Sequence, residues 1–65
     1  MISDPKLIEK KIEELFLQFP NEVETYRAGK TKLQGFFIGQ LMKKTSGKVD
    51  PKLSNQILSK KLNAN

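Results

Sequence analysis

With 65 residues the chain has room for one small domain, which would bury only roughly 60% of the surface its unfolded form exposes. It contains no Cys and no His, which excludes disulfide staples, the common metal-ligand sets and the familiar nucleophile–base pairs, so stability must come from packed helices or from neighbouring parts of a longer chain. The net charge of +5 is unevenly distributed: residues 1–24 hold three lysines against six carboxylates, and residues 25–65 hold Arg27 and eight lysines against Asp50 alone.

In chain order, Asp4-Pro5 opens the first predicted helix, over 5–19, with Asp as N-cap and Pro at the first helical position. Ile8, Ile12, Leu15, Phe16 and Phe19 follow at the spacing of an amphipathic helix, with Lys6, Glu9, Lys10, Glu13 and Glu14 on the solvated face. Phe19-Pro20 closes it, because the residue before proline disfavours helical dihedrals. A short second helix is expected over 21–28. Asn21 and Glu24 have the spacing of a capping pair, Val23 and Tyr26 supply an apolar face, and Gly29 supplies a left-handed cap.

The third helix, over 31–45 and terminated by Gly47, spreads Leu33, Phe36, Phe37, Ile38, Leu41 and Met42 almost all round its axis, as central helices do. Asp50-Pro51 repeats the helix opening, and Leu53, Ile57, Leu58 and Leu62 form the inner face of a fourth helix over 51–62. The closing "NAN" reads as a frayed terminus. The expectation is all-α: a small helical bundle of three main helices plus one short one, arranged around the glycine-containing third helix, with residues 1–65 as a single, monomeric domain. No apolar run approaches the ~20 residues needed to span a membrane, and no secretory leader is visible. "ISDPK" after Met1 looks like a cut from a longer chain, and a cytoplasmic setting is the default.

The basic C-terminal two-thirds suits an anionic partner, nucleic acid above all, or else a solvated lysine surface. "GKT" at 29–31 resembles the end of a phosphate-binding loop, but Glu24 stands where that motif requires glycine and no strand leads into it. Catalysis lacks a constellation: the serines have no base to activate them and the carboxylates crowd one exposed helix face. No catalytic and no metal-binding residue is assigned.

Gly35 and Gly39 are the informative pair, because glycine inside a helix costs about 1 kcal/mol relative to alanine. At roughly 100° per residue they share one side of the third helix with Lys32 and Lys43, flanked by Phe36 and Gln40. Such a side offers bare helix backbone between two ammonium groups, where lysines could neutralise phosphates and Gln40 could donate a hydrogen bond. Alternatively, the glycines let a neighbouring helix cross closely. Lys44, Lys48 and Lys52 also favour the helix-three dipole, and Lys60 and Lys61 read as solvated. Tyr26 and Phe36 could stack on an unpaired base or belong to the core.

"YRAGKTKLQGFFIGQLMKKTSGKVDPKLSNQIL" resembles the C-terminal tail domain of the B subunit of the bacterial and organellar aspartyl/glutamyl-tRNA amidotransferase, a domain shared with free-standing YqeY-type proteins. The likeness rests on the Tyr-Arg-x-Gly-Lys turn, the Gly-x-x-x-Gly-Gln run through Met42-Lys43, and Gly47-Lys48 leading to Asp50-Pro51, and it extends back through "FP" to "ISDP". Phe19 departs from the family's usual Asn, which weakens the start of the second helix. The resemblance implies a non-catalytic module that engages the tRNA body of tRNA(Gln) or tRNA(Asn). ATP, Mg and the amide chemistry then belong to other parts of the enzyme, and the A and C subunits are partners of the whole B subunit. It places the RNA-facing surface on Lys30, Lys32, Gly35, Gly39, Gln40, Lys43 and Lys48. A protein-docking module whose glycine side receives a helix is the alternative.

Overall fold

A computed structural model describes residues 2–63. Four helices follow one another in them: α1 (Pro5–Gln18), α2 (Pro20–Arg27), α3 (Leu33–Lys44) and α4 (Pro51–Leu62). Every pair of helices is in contact, so the arrangement is an all-α bundle with α2 as its short member. The radius of gyration, 10.8 Å, is the value expected of a folded chain of this length. Among the described residues there is no strand, only one parallel bridge between Ile2 and Val49.

Helix starts follow the Asp-Pro dipeptides. Asp4 Oδ1 accepts from the Lys6 amide at 3.0 Å, and Asp50 Oδ1 accepts from Lys52 at 3.0 Å and Leu53 at 3.3 Å. Each carboxylate thereby satisfies amides that the first helical turn leaves without a partner. The start of α2 differs from the expected capping pair. Phe19 occupies the N-cap position with no side-chain hydrogen bond, and Asn21 lies inside the first turn because Pro20 already has the helical φ. The start of α3 is later than 31. Leu33, Gln34 and Gly35 donate to Lys30, Thr31 and Lys32, each three residues back, so the chain enters α3 through tight turns with no capping side chain.

Helix ends follow the glycines. After α2, Gly29 takes φ +122°, its amide donates to Tyr26, and the Lys30 amide donates to Thr25, the double bond of a Schellman cap. After α3 the same pattern is shifted by one residue from the expected terminator. Ser46, at φ +55°, is the left-handed residue and its amide donates to Lys43, while Gly47 at φ +72° donates to Met42 at 2.7 Å. Asn63, read as part of a frayed end, instead caps α4: its amide nitrogen Nδ2 donates to the Ser59 carbonyl at 2.8 Å. Ala64 and Asn65 lie outside the described residues.

Ile8, Ile12, Leu15, Val23, Tyr26, Phe37, Leu41, Val49, Leu58 and Leu62 form the core. All four phenylalanines interlock edge to face, with centroids 5.4 Å apart for Phe16–Phe37, 5.2 Å for Phe19–Phe36 and 5.3 Å for Phe36–Phe37. That geometry sets the positive ring edge against the negative face. Two buried hydroxyls use their own helices. Thr45 donates to Leu41 at 2.8 Å and Ser54 to Asp50 at 2.7 Å, so neither leaves a polar atom unpaired.

Candidate nucleic-acid interface

The fully buried Phe37 and Leu41 fix which side of α3 faces the core. At roughly 100° per residue the opposite side carries Lys32, Gly35, Gly39 and Lys43, and all four are exposed. Half-buried Phe36 and Gln40 border one edge of this stripe, and half-buried Ile38 and Met42 border the other. A Cβ placed on Gly35 or Gly39 would meet no heavy atom within 4 Å. Close helix crossing within the domain is therefore not what these glycines serve, because no helix of the described residues approaches that side.

Lys30 and Lys48 lie at the two ends of α3, Lys30 in the turn before it and Lys48 in the linker to α4, and both are exposed. The twelve residues of α3 thus separate two cationic ends by about 18 Å. Lys30, Lys32, Lys43, Lys48 and Lys52 make no ion pair among the described residues. For Lys30 and Lys32 the position matters more than the number. They stand at the positive end of the α3 dipole, where a cation opposes helix stability and an anion is favoured. Dipole complementation accounts for Lys43 and Lys44 in the last turn, but not for the pair at the first.

Other basic residues are committed elsewhere. Lys44 pairs with Glu14 at 3.4 Å, and Lys61 lies 2.8 Å from Glu13 and 3.9 Å from Glu9, so the acidic face of α1 is matched from within the chain. Arg27 donates through Nε to Leu62 and through Nη2 to Lys61. These roles link residues 30 to 52 positions apart, and no local spacing announces them. Tyr26 is buried and Phe36 packs against Phe19 and Phe37, so base stacking gains no support from either ring.

Beside the stripe, α1 and α3 leave a shallow cleft of ≈ 270 Å³ lined by Leu15, Gln18, Gln40, Lys43 and Lys44. Gln18 was not singled out by the sequence, since its place beside Gln40 depends on how α1 packs on α3. No three His, Cys, Asp or Glu side chains among the described residues converge as metal ligands.

The GatB domain family model matches residues 1–62. The chain belongs to that family. This GatB domain is 69% identical, over 95% of its length, to part of the B subunit of the aspartyl/glutamyl-tRNA(Asn/Gln) amidotransferase of Prochlorococcus marinus. It is 71% identical over 95% of its length to the corresponding B subunit of a Synechococcus strain, and 69% identical over 94% to that of Synechococcus elongatus. The chain spans 13% of the length of the first two and 12% of the third. No solved structure matches it. No helix of the GatB domain is long and apolar enough to cross a membrane among the described residues.

Proposed function

We propose that this GatB domain is the tRNA-binding tail of the B subunit of an aspartyl/glutamyl-tRNA(Asn/Gln) amidotransferase. In this reading it holds the body of tRNA(Gln) or tRNA(Asn) while a catalytic region elsewhere amidates the misacylated Glu or Asp. The observation that carries the reading is the outer side of α3. Its glycines open onto free space and are bracketed by lysines that are unpaired among the described residues, two of them at the helix end where they serve no stabilising purpose. Lys30, Lys32, Lys43 and Lys48 neutralise phosphates, Gly35 and Gly39 allow the sugar–phosphate chain to lie against the helix, and Gln40 donates a hydrogen bond from the flank. The names of the relatives supply the tRNA and the enzyme.

The domain itself is a non-catalytic monomer in this account. ATP and Mg belong to the part of the relatives that this chain does not span, as do the contacts with the A and C subunits, and the setting is the bacterial cytoplasm or an organelle. The test is fluorescence anisotropy with labelled tRNA(Gln) across a salt series. Four phosphate contacts in a tRNA give a slope of log K against log salt of about −3. Substituting Lys32→Ala or Lys43→Ala should reduce that slope by about one each. No binding of tRNA at low salt would transfer the glycine side to a docking helix of a protein partner.

A further inference from the structure

We infer that the cleft between α1 and α3 seats a single unpaired nucleotide of the bound RNA, with the Gln18 and Gln40 amides reading the base edge. This rests on the RNA-binding reading above and assigns a specificity element within it. Leu15 gives the cleft an apolar floor, the two amides line it, and Lys43 and Lys44 border it. Neither Gln18 nor Gln40 has a hydrogen-bond partner for its side chain among the described residues. Gln34, half-buried like Gln40, is by contrast held by Asn55 at 3.5 Å.

The chemistry of the lining selects a base over a bare phosphate. A phosphate only accepts hydrogen bonds, so it would leave both glutamine carbonyls without donors. Of the two ammonium groups, Lys44 is already held by Glu14 at 3.4 Å, which also sets a carboxylate next to the cleft and repels an anion. A base edge presents donors and acceptors side by side, and a side-chain amide matches that mixture with its own N–H and C=O. Lys43 belongs both to the cleft and to the cationic stripe, so a strand lying along α3 would place a phosphate on Lys43 and could turn the attached base inward. A shallow cleft with five lining residues can take one base and no duplex. Paired bases are out of reach in any case, because the A-form major groove is closed to side chains, and sequence-reading contacts go to unstacked loop nucleotides.

The experiment compares two RNAs of equal phosphate number, a hairpin with an unpaired loop and a fully paired duplex, against the 65-residue chain, followed by nitrogen-15 NMR and anisotropy. The hairpin should bind about tenfold more tightly, the ratio of one well-made base contact. The side-chain NH₂ signals of Gln18 and Gln40 should shift with the hairpin and stay in place with the duplex. Gln18→Ala, on an exposed helix face where folding is not at stake, should remove about tenfold of the hairpin affinity. Equal, salt-sensitive binding of both RNAs, or full hairpin affinity in Gln18→Ala, would overturn the nucleotide site and leave the tail reading standing. If neither RNA bound at low salt, both would fall together.

Discussion

The Arg27 guanidinium donates to the Leu62 carbonyl at 3.3 Å, tying the last turn of α2 to the last turn of α4. A second nitrogen reaches the Lys61 carbonyl at 3.4 Å, so one cation serves two carbonyls of the last helical turn. A planar fork of donors is what this arrangement needs, and a lysine cannot reproduce it. Arg27→Ala should lower unfolding free energy by about 1 kcal/mol in urea titrations, and Arg27→Lys should recover less than half of the loss. Equal stability of all three proteins would show that the tie contributes nothing in solution.

The glycines of α3 make opposite predictions for stability and for binding. A methyl group at residue 35 or 39 meets nothing, so Gly39→Ala should stabilise the domain by up to about 1 kcal/mol, and Gly35→Ala by less because it lies in the first turn. For a chain of this size that raises the melting temperature by several degrees, on the order of 4–8 °C per kcal/mol. RNA affinity should fall in the same proteins, because the methyl group holds the phosphate chain off the helix. A fall in melting temperature would return both residues to a packing role.

The two caps differ in how well their residues suit them. Ser46 sits at φ +55°, a conformation costing an L-residue roughly 1–2 kcal/mol, and Ser46→Gly should recover about 1 kcal/mol of it in thermal denaturation. Gly29, at φ +122°, lies where side chains rarely go, so Gly29→Ala should destabilise by about 1–3 kcal/mol despite the open space around it.

Phe37 joins the aromatic chain to the core and is fully buried. Phe37→Ala should cost about 3–5 kcal/mol. A single core in a 65-residue domain rarely supplies more than about 3–5 kcal/mol, so this variant should give the collapsed amide dispersion of an unfolded chain. A dispersed spectrum close to that of the parent would mean the core does not centre on this ring.

Helices were legible where local chemistry determines them. Asp4-Pro5 and Asp50-Pro51 fix two starts through one carboxylate each, and the spacing of Ile8, Ile12 and Leu15 marks a buried face without reference to the rest of the chain. What escaped was long-range. Val49 is completely buried although it lies in a linker, because Ile2 donates to the Lys48 carbonyl and accepts from Asp50 at 2.9 Å, closing the start of the chain over it. Lys61 looked solvated, yet it bridges to Glu13 across 48 positions. The candidate surface was half legible. The spacing put Lys32, Gly35, Gly39 and Lys43 on one side of α3, but only the packing of α1, α2 and α4 decides that this side stays uncovered, and the cleft with Gln18 arises only where α1 meets α3.

RNA bound by this tail should lie along the outer side of α3. The most direct measurement is a two-dimensional NMR titration of the nitrogen-15-labelled chain with tRNA(Gln), at low and then moderate salt. Salt-sensitive shifts should concentrate at Lys30, Lys32, Gly35, Gly39, Gln40, Lys43 and Lys48, with the α1 residues Glu9 and Glu13 unmoved. Shifts confined to another face, or none at millimolar tRNA and low salt, would contradict it.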